Sequence, residues 1–411
     1  MRYKYLLITA LLGLMVNITS AQSKLKTGIW RGALTTSSSN ELPFNFEIKD
    51  IGGGKQQLLI INGAERFKVT DIRQKGDSVF IHMPLFNSEF KLMQSGEGLS
   101  GQWIKHLGDK DAKMEFNAVP GLAWRFFKTP EKPVFDISGR WSAVFGEKDK
   151  KDTTVGEFKQ VGTKLTGTFL TTTGDYRYLE GTVAGDKLYL STFDGGHAFI
   201  FTADIRDDKT LANGKFYSGI SGLDKWVAVK NENAKLPDAY SLTRLKPGYK
   251  KVAFTFPGID GKKVSLSDPR FKNKVVIVQI LGSWCPNCMD ETSYLVNYYK
   301  KFHPKGVEII GLAYERTTDF AKSVPTLKQL KARFDIQYPL LITGYTPNRG
   351  DPQKSLPMLA DFKGFPTTII IDKKGDVRKI HTGFSGPGTG KYYTEFTEEF
   401  EKLTNDLLAE K

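Results

Sequence analysis

The sequence predicts a multidomain fold: two antiparallel all-β lobes, barrel-like or sandwich in build, followed by one α/β domain. From residue 24 to about 230, apolar and polar residues alternate in short runs punctuated by Gly, Asn, Asp and Ser, the pattern of a meander of short strands. After residue 250 the period changes. Apolar runs of strand length then alternate with longer runs of helical period, which builds an α/β layer. The chain's two cysteines, Cys285 and Cys288, both fall in this last part and place its chemistry there.

Arg2 and Lys4, the apolar run 6–16 and the small residues Thr19, Ser20 and Ala21 read as a secretory signal peptide over residues 1–21, cleaved near Ala21. The run is short for a membrane span, and no cysteine ends it to carry a lipid. No later apolar run is long enough to cross a bilayer, so the expected location is the periplasm or cell envelope. The net charge of +14 falls to +12 once Arg2 and Lys4 leave with the leader. The remaining lysines are dispersed among acids such as Asp149, Asp152, Asp207 and Asp208. Such a surface lacks the focused basic footprint of a nucleic-acid binder.

Within the β region, the runs 44–48, 79–83, 187–191 and 198–201 are predicted strands. Gly76-Asp77 and Gly185-Asp186 are predicted hairpin turns. The region reads as a duplication. Gly28-Ile29-Trp30 opens one unit and Gly139-Arg140-Trp141 the other, and 99–103 near one end answers 211–216. Roughly eight strands per lobe are enough to close a small barrel. The expected organisation is a first lobe over 22–121, a linker over 122–136 rich in proline, a second lobe over 137–231, a linker over 232–250, and the α/β domain over 251–411. Gly52-Gly53-Gly54 and Gly195-Gly196 are turn glycines; no Lys-Ser/Thr follows them in the register of a phosphate-binding loop.

In the α/β part, Asp260-Gly261 splits a hairpin. Strands are predicted at 275–281, 307–313, 339–342 and 367–372, and helices at 286–302, 326–334 and 392–408. The segment 381–388 reads as a loop ahead of the last helix. The pentapeptide Trp284-Cys285-Pro286-Asn287-Cys288 sits where the first of these strands gives way to a helix. Proline suits the first helical position, so Cys285 falls at the helix N-terminus, where the positive end of the helix favours a thiolate. Cys285 is thus the attacking sulfur. Cys288, one turn deeper, is the resolving thiol that releases the partner. Glu291, three residues further, reads either as an acid complementing the helix dipole or as a proton relay to Cys288. Farther on, Phe365-Pro366-Thr367-Thr368 opens an apolar strand.

A Trp-Cys-x-x-Cys helix followed by a distant X-Pro-Thr strand resembles the thioredoxin fold. The preceding hairpin and the extra helix and strand over 326–342 resemble its exported TlpA/ResA-like branch, across about 250–411. The resemblance implies a cis peptide at Pro366, lying against the disulfide, with the backbone of Phe365 pairing with the partner chain. It makes Trp284 the aromatic flank of the nucleophile and Glu291 the family's acid after the second cysteine. Gln279 stands where ordinary thioredoxins carry a buried aspartate, which leaves proton handling to Glu291 or water. The implied activity is thiol-disulfide exchange on disulfide-containing exported proteins, running as a reductase fed by a membrane-borne thiol electron donor.

No cofactor is expected. Zinc needs four ligands, and Cys285 and Cys288 have no second pair. Peroxidase chemistry needs a proline seven residues and a Thr or Ser three residues before its cysteine, where Val278 and Gly282 stand. The competing reading is an envelope binding module, in which the β lobes capture a ligand or partner and the redox domain is a scaffold.

Overall fold

The computed structural model describes residues 24–108, 110–146, 152–348 and 350–410. The proposed leader and Asp149 lie outside the described residues.

The first lobe has strands at Gly28–Thr35, Glu41–Asp50, Gln56–Asn62, Glu65–Val69, Asp71–Lys75, Ser78–His82, Ser88–Ser95, Gly98–His106 and Asp111–Pro120. Consecutive strands pair antiparallel, and the first also pairs with the last. The one break in the ring falls between Glu65–Val69 and Asp71–Lys75, which are a single run bent at Thr70. This bent strand turns the corner that closes the barrel, so nine segments do the work of eight strands.

Among the described residues the second lobe also has nine: Gly139–Phe145, Asp152–Val161, Lys164–Thr171, Gly174–Asp175, Leu179–Ala184, Lys187–Phe193, Ala198–Asp207, Thr210–Ser218 and Gly222–Lys230. Pairing of Asp152–Val161 with Lys164–Thr171 closes eight of them into a ring, and Gly174–Asp175 is a two-residue addition on Lys164–Thr171. The predicted duplication has a physical counterpart. Trp30 and Trp141 are fully buried at matching positions, and each indole N–H donates to the carbonyl four residues earlier, Lys26 at 2.8 Å and Ile137 at 2.9 Å. Gly28 and Gly139 precede them at φ of 106° and 112°, a region that L side chains avoid.

The segment 122–136 is no loose tether. Arg125 is buried between the barrels, donating to the carbonyls of Ile61 and Ser191 and facing Glu180 at 3.4 Å. In 232–250, Arg244–Leu245 pairs with Leu359–Ala360 of the last domain.

In the α/β domain we number β1 (Val275–Leu281), α1 (Pro286–Phe302), β2 (Val307–Ala313), α2 (Phe320–Phe334), β3 (Leu340–Ile342), β4 (Thr367–Ile371), β5 (Val377–Thr382) and α3 (Lys391–Ala409). The sheet order is β3-β2-β1-β4-β5, with β1 parallel to β2, β2 parallel to β3, and β4 antiparallel to both β1 and β5. β1 and β2 are buried along their whole length, as apolar strands covered on both faces must be.

Two readings need correction. The helix expected over 326–334 begins six residues earlier, because Asp319 caps it by accepting from the amides of Ala321 at 2.8 Å and Lys322 at 3.2 Å. Pro325 lies inside the helix. The expected loop over 381–388 begins as strand: His381 and Thr382 end β5, opposite Thr368 and Thr367. β5 was hidden because its first half, Val377-Arg378-Lys379, reads as polar surface with no apolar alternation to mark it.

Candidate active site

β1 runs buried into a short turn, and α1 starts at Pro286 with Cys285 as its N-cap residue. The local sequence dictates this: an all-apolar strand ends at Leu281, Gly282 allows the turn, and proline has no amide to lose at the first helical position. Cys285 and Cys288 are joined as a disulfide with their Cα atoms 5.2 Å apart, and the Cys288 amide N–H points at the Cys285 sulfur at 3.2 Å. That amide belongs to the unsatisfied set at a helix N-terminus, so the same geometry favours negative charge on Cys285 once the bond is reduced. Cys288 is fully buried, and Cys285 is only 5 % exposed.

The predicted residues converge here. The Phe365–Pro366 peptide is cis. Phe365 meets the Trp284 ring edge-on at 5.4 Å between centroids, and the Trp284 indole N–H donates to the Tyr314 carbonyl at 2.8 Å. The Pro366 carbonyl accepts from Gly383, which ties the loop before β4 to the end of β5.

Glu291 is buried behind Cys288, where it accepts from Thr368 Oγ1 at 2.6 Å and from Gln279 Nε2 at 2.8 Å. Burial pushes its carboxyl up to about 7, against the pull of these two hydrogen bonds toward the ionised form. Gln279 also reaches Thr292 Oγ1 at 3.1 Å and the Cys288 carbonyl at 3.5 Å. It therefore holds the carboxylate's position rather than taking a proton itself.

Four contributors went unpredicted. Glu315, buried at the end of β2, accepts from both the amide and the hydroxyl of Ser283 at 2.9 and 2.6 Å and so fixes the turn before the dithiol. The Arg316 guanidinium lies 5.1 Å over the Trp284 ring. Arg177, from the second barrel, is buried against Asp290 of α1 at 2.5 Å, Asp194 at 3.2 Å and Glu65. Desolvation raises the Asp290 carboxyl, while the arginine opposes it. Asp175 accepts from the Gly386 amide at 2.7 Å. An acid two residues past β2 is a weak sequence signal for Glu315. Nothing near Arg177 or Asp175 signals a partner more than one hundred residues away.

A family model described as Redoxin matches residues 246–395. Over 134 residues the chain is 31% identical to the thiol-disulfide oxidoreductase ResA of Bacillus thuringiensis subsp. konkukian, across 33% of this chain and 68% of that relative. The chain belongs to the ResA/TlpA-like thiol-disulfide oxidoreductase family. A ResA-like enzyme from Bacillus subtilis, named thiol-disulfide oxidoreductase ResA, is 28% identical over 130 residues, 32% of this chain and 64% of that one. Among solved structures, the thioredoxin domain of a thiol-disulfide oxidoreductase from Bacteroides vulgatus aligns at 25% identity and a TM-score of 0.28, covering 37% of this chain and 99% of that one. The ResA-like assignment makes this chain a thiol-disulfide oxidoreductase with a thioredoxin-like C-terminal domain, and its Cys285–Cys288 pair is joined as a disulfide. Both barrels lie outside the Redoxin match.

Proposed function

We propose that this ResA-like chain is an exported reductase of protein disulfides, acting in the periplasm or cell envelope. The Cys285 thiolate attacks one sulfur of a partner disulfide, forming a mixed disulfide and expelling the other partner sulfur, which takes up a proton. Cys288, losing its proton, then attacks the Cys285 sulfur. The ring closes, and the second partner thiol leaves. Two electrons pass to the partner, and a membrane-borne thiol donor returns two to Cys285 and Cys288. Phe365 and Pro366 position the partner backbone, and Trp284 flanks the attacking sulfur. Glu291 takes the proton of Cys288.

The observation that supports this reading most is the Cys288 amide directed at the Cys285 sulfur, with Glu291 buried one turn behind. Among the described residues no helix is long and apolar enough to cross a membrane. Reduction of insulin and of a small disulfide that depends on Cys285 tests the activity; absence of turnover with both would favour the rival reading of a binding module. A Cys288→Ser variant should trap the partner as a mixed disulfide.

The relay has its own test. Below about pH 7 Glu291 holds a proton and cannot accept another, so ring closure should accelerate as pH rises through that value. In Glu291→Gln the inflection should vanish; its persistence in rapid-quench measurements would remove Glu291 from the mechanism. Stability follows the same group. Its folded-state pKa lies above the ordinary value of 4.5, so the folded chain keeps a proton that the unfolded chain has lost. Stability should therefore fall as pH rises from about 4.5 to about 7, and Glu291→Gln should flatten that slope.

A further inference from the structure

The second barrel lays the turn 171–177 against the redox domain, on the rim beside Phe365 and Pro366. The approach is close enough to demand glycine on both sides. A Cβ built on Gly383, whose amide holds the Pro366 carbonyl, would lie 2.9 Å from the Thr172 carbonyl oxygen. One built on Gly364, next to Phe365, would lie 2.6 Å from Thr173 Cγ2. One built on Gly174 would lie 2.0 Å from the end of the Asn287 amide. Asn287 stands between the two cysteines. With its amide turned to satisfy both neighbours, it donates to the Asp175 carbonyl at 3.0 Å and accepts from the Asp175 amide at 3.3 Å. It thus pairs with the turn as a neighbouring strand would.

The root of the turn is pinned. Asp175 accepts from Gly386, and Arg177 reaches Asp290 of α1 and Glu65 of the first barrel. The other side of the dithiol is different. Trp284 and Phe365 are only partly buried, and a cleft of about 240 Å³ opens beside Trp284, lined in part by Phe86, Lys105 and Arg316.

A partner chain that adds to the Phe365 backbone needs the space that Thr172, Thr173 and Gly174 fill. We propose that Thr173 and Gly174 are specificity-determining residues. They occupy one rim of the partner groove, so the dithiol takes directly only disulfides that are small or borne on a thin extended segment approaching over Trp284. A folded protein disulfide engages after the turn lifts. This rests on the reductase reading above and narrows its substrate class.

The test is single-turnover oxidation of the pre-reduced full chain by 2-hydroxyethyl disulfide and by insulin, compared across wild type, Thr173→Tyr and Gly174→Ser. Both changes crowd the docked turn without altering a residue of the redox domain, and circular dichroism and thermal unfolding report whether each variant is folded. If the turn is lifted about one-tenth of the time in wild type, displacing it should raise the insulin rate about tenfold and leave the small-disulfide rate within about twofold. Equal gains for both substrates would mean that the turn shields the sulfur without selecting, and would overturn the proposal. So would unchanged insulin rates in both folded variants. Failure of wild type to react with either disulfide would instead strike the reductase reading itself.

Discussion

The second barrel sends one turn into each neighbour, and the two contacts are built from opposite materials. Toward the first barrel it inserts Phe193, fully buried, with ring centroids 4.5 Å from Phe44 and 5.5 Å from Trp103. The second barrel fills its own interior with other rings, among them Phe145 against Trp226 and Phe201 against Phe216. Toward the redox domain it offers Thr172, Thr173 and Gly174, which bury little apolar surface. One device recurs at both contacts: an asparagine amide reads the backbone of the incoming turn. Asn62 donates to the Phe193 carbonyl at 2.8 Å and accepts from its amide at 3.4 Å, as Asn287 does with Asp175. The asparagine bonding is therefore matched, and the contrast at the tips of the two turns lies in hydrophobic burial. Burial of an aromatic ring makes a permanent joint, whereas the threonine and glycine tip of the other turn, beyond its root pinned at Asp175 and Arg177, can part at small cost.

Phe193→Ala is the largest expected effect. It should destabilise the chain by about 3–5 kcal/mol, with the loss felt in the first barrel although the residue belongs to the second. Denaturant unfolding checks the size, and hydrogen exchange of Glu41–Asp50 checks the place. A loss confined to the second barrel would break the contrast. Asn62→Leu should cost less, about 1–3 kcal/mol, because it leaves the Phe193 carbonyl and amide buried without their partner. Of similar size, Trp30→Phe and Trp141→Phe should each cost about 1–3 kcal/mol, through loss of the hydrogen bond to a carbonyl and of buried ring volume. Unequal values would show that the two barrels do not share this joint. Smallest is Thr173→Ala, within about 0.5 kcal/mol, as for a surface change that creates no cavity. A large loss in thermal unfolding would place the redox-domain contact among the permanent joints.

Legibility in the sequence followed the range of the interaction. β1, α1 and β2 were readable to the residue, since each is set by local period and α1 also by Pro286 at its first position. The buried face of α1 follows its helical period: Cys288, Thr292, Leu295, Val296 and Tyr299 all point inward. The start of α2 was not readable, because it is set by the capping aspartate Asp319 ahead of the expected range. Nor was β5, a polar edge strand held by pairing with β4. At the site, Cys285, Cys288, Glu291 and Pro366 carried a local or family signal. Arg177, Asp175 and the glycines facing them carried none, since what they answer to is another domain.

The sequence by itself determined the chemistry of this protein. Two cysteines one helical turn apart, with proline between them after an apolar strand, place a disulfide that can open and close at a helix N-terminus. Only the tertiary structure decided how much of that dithiol a partner meets. Access depends on which surfaces the barrels cover, and covering is a property of long-range packing: Thr173 and Gly364 stand nearly two hundred positions apart, and no local period or turn signal links them.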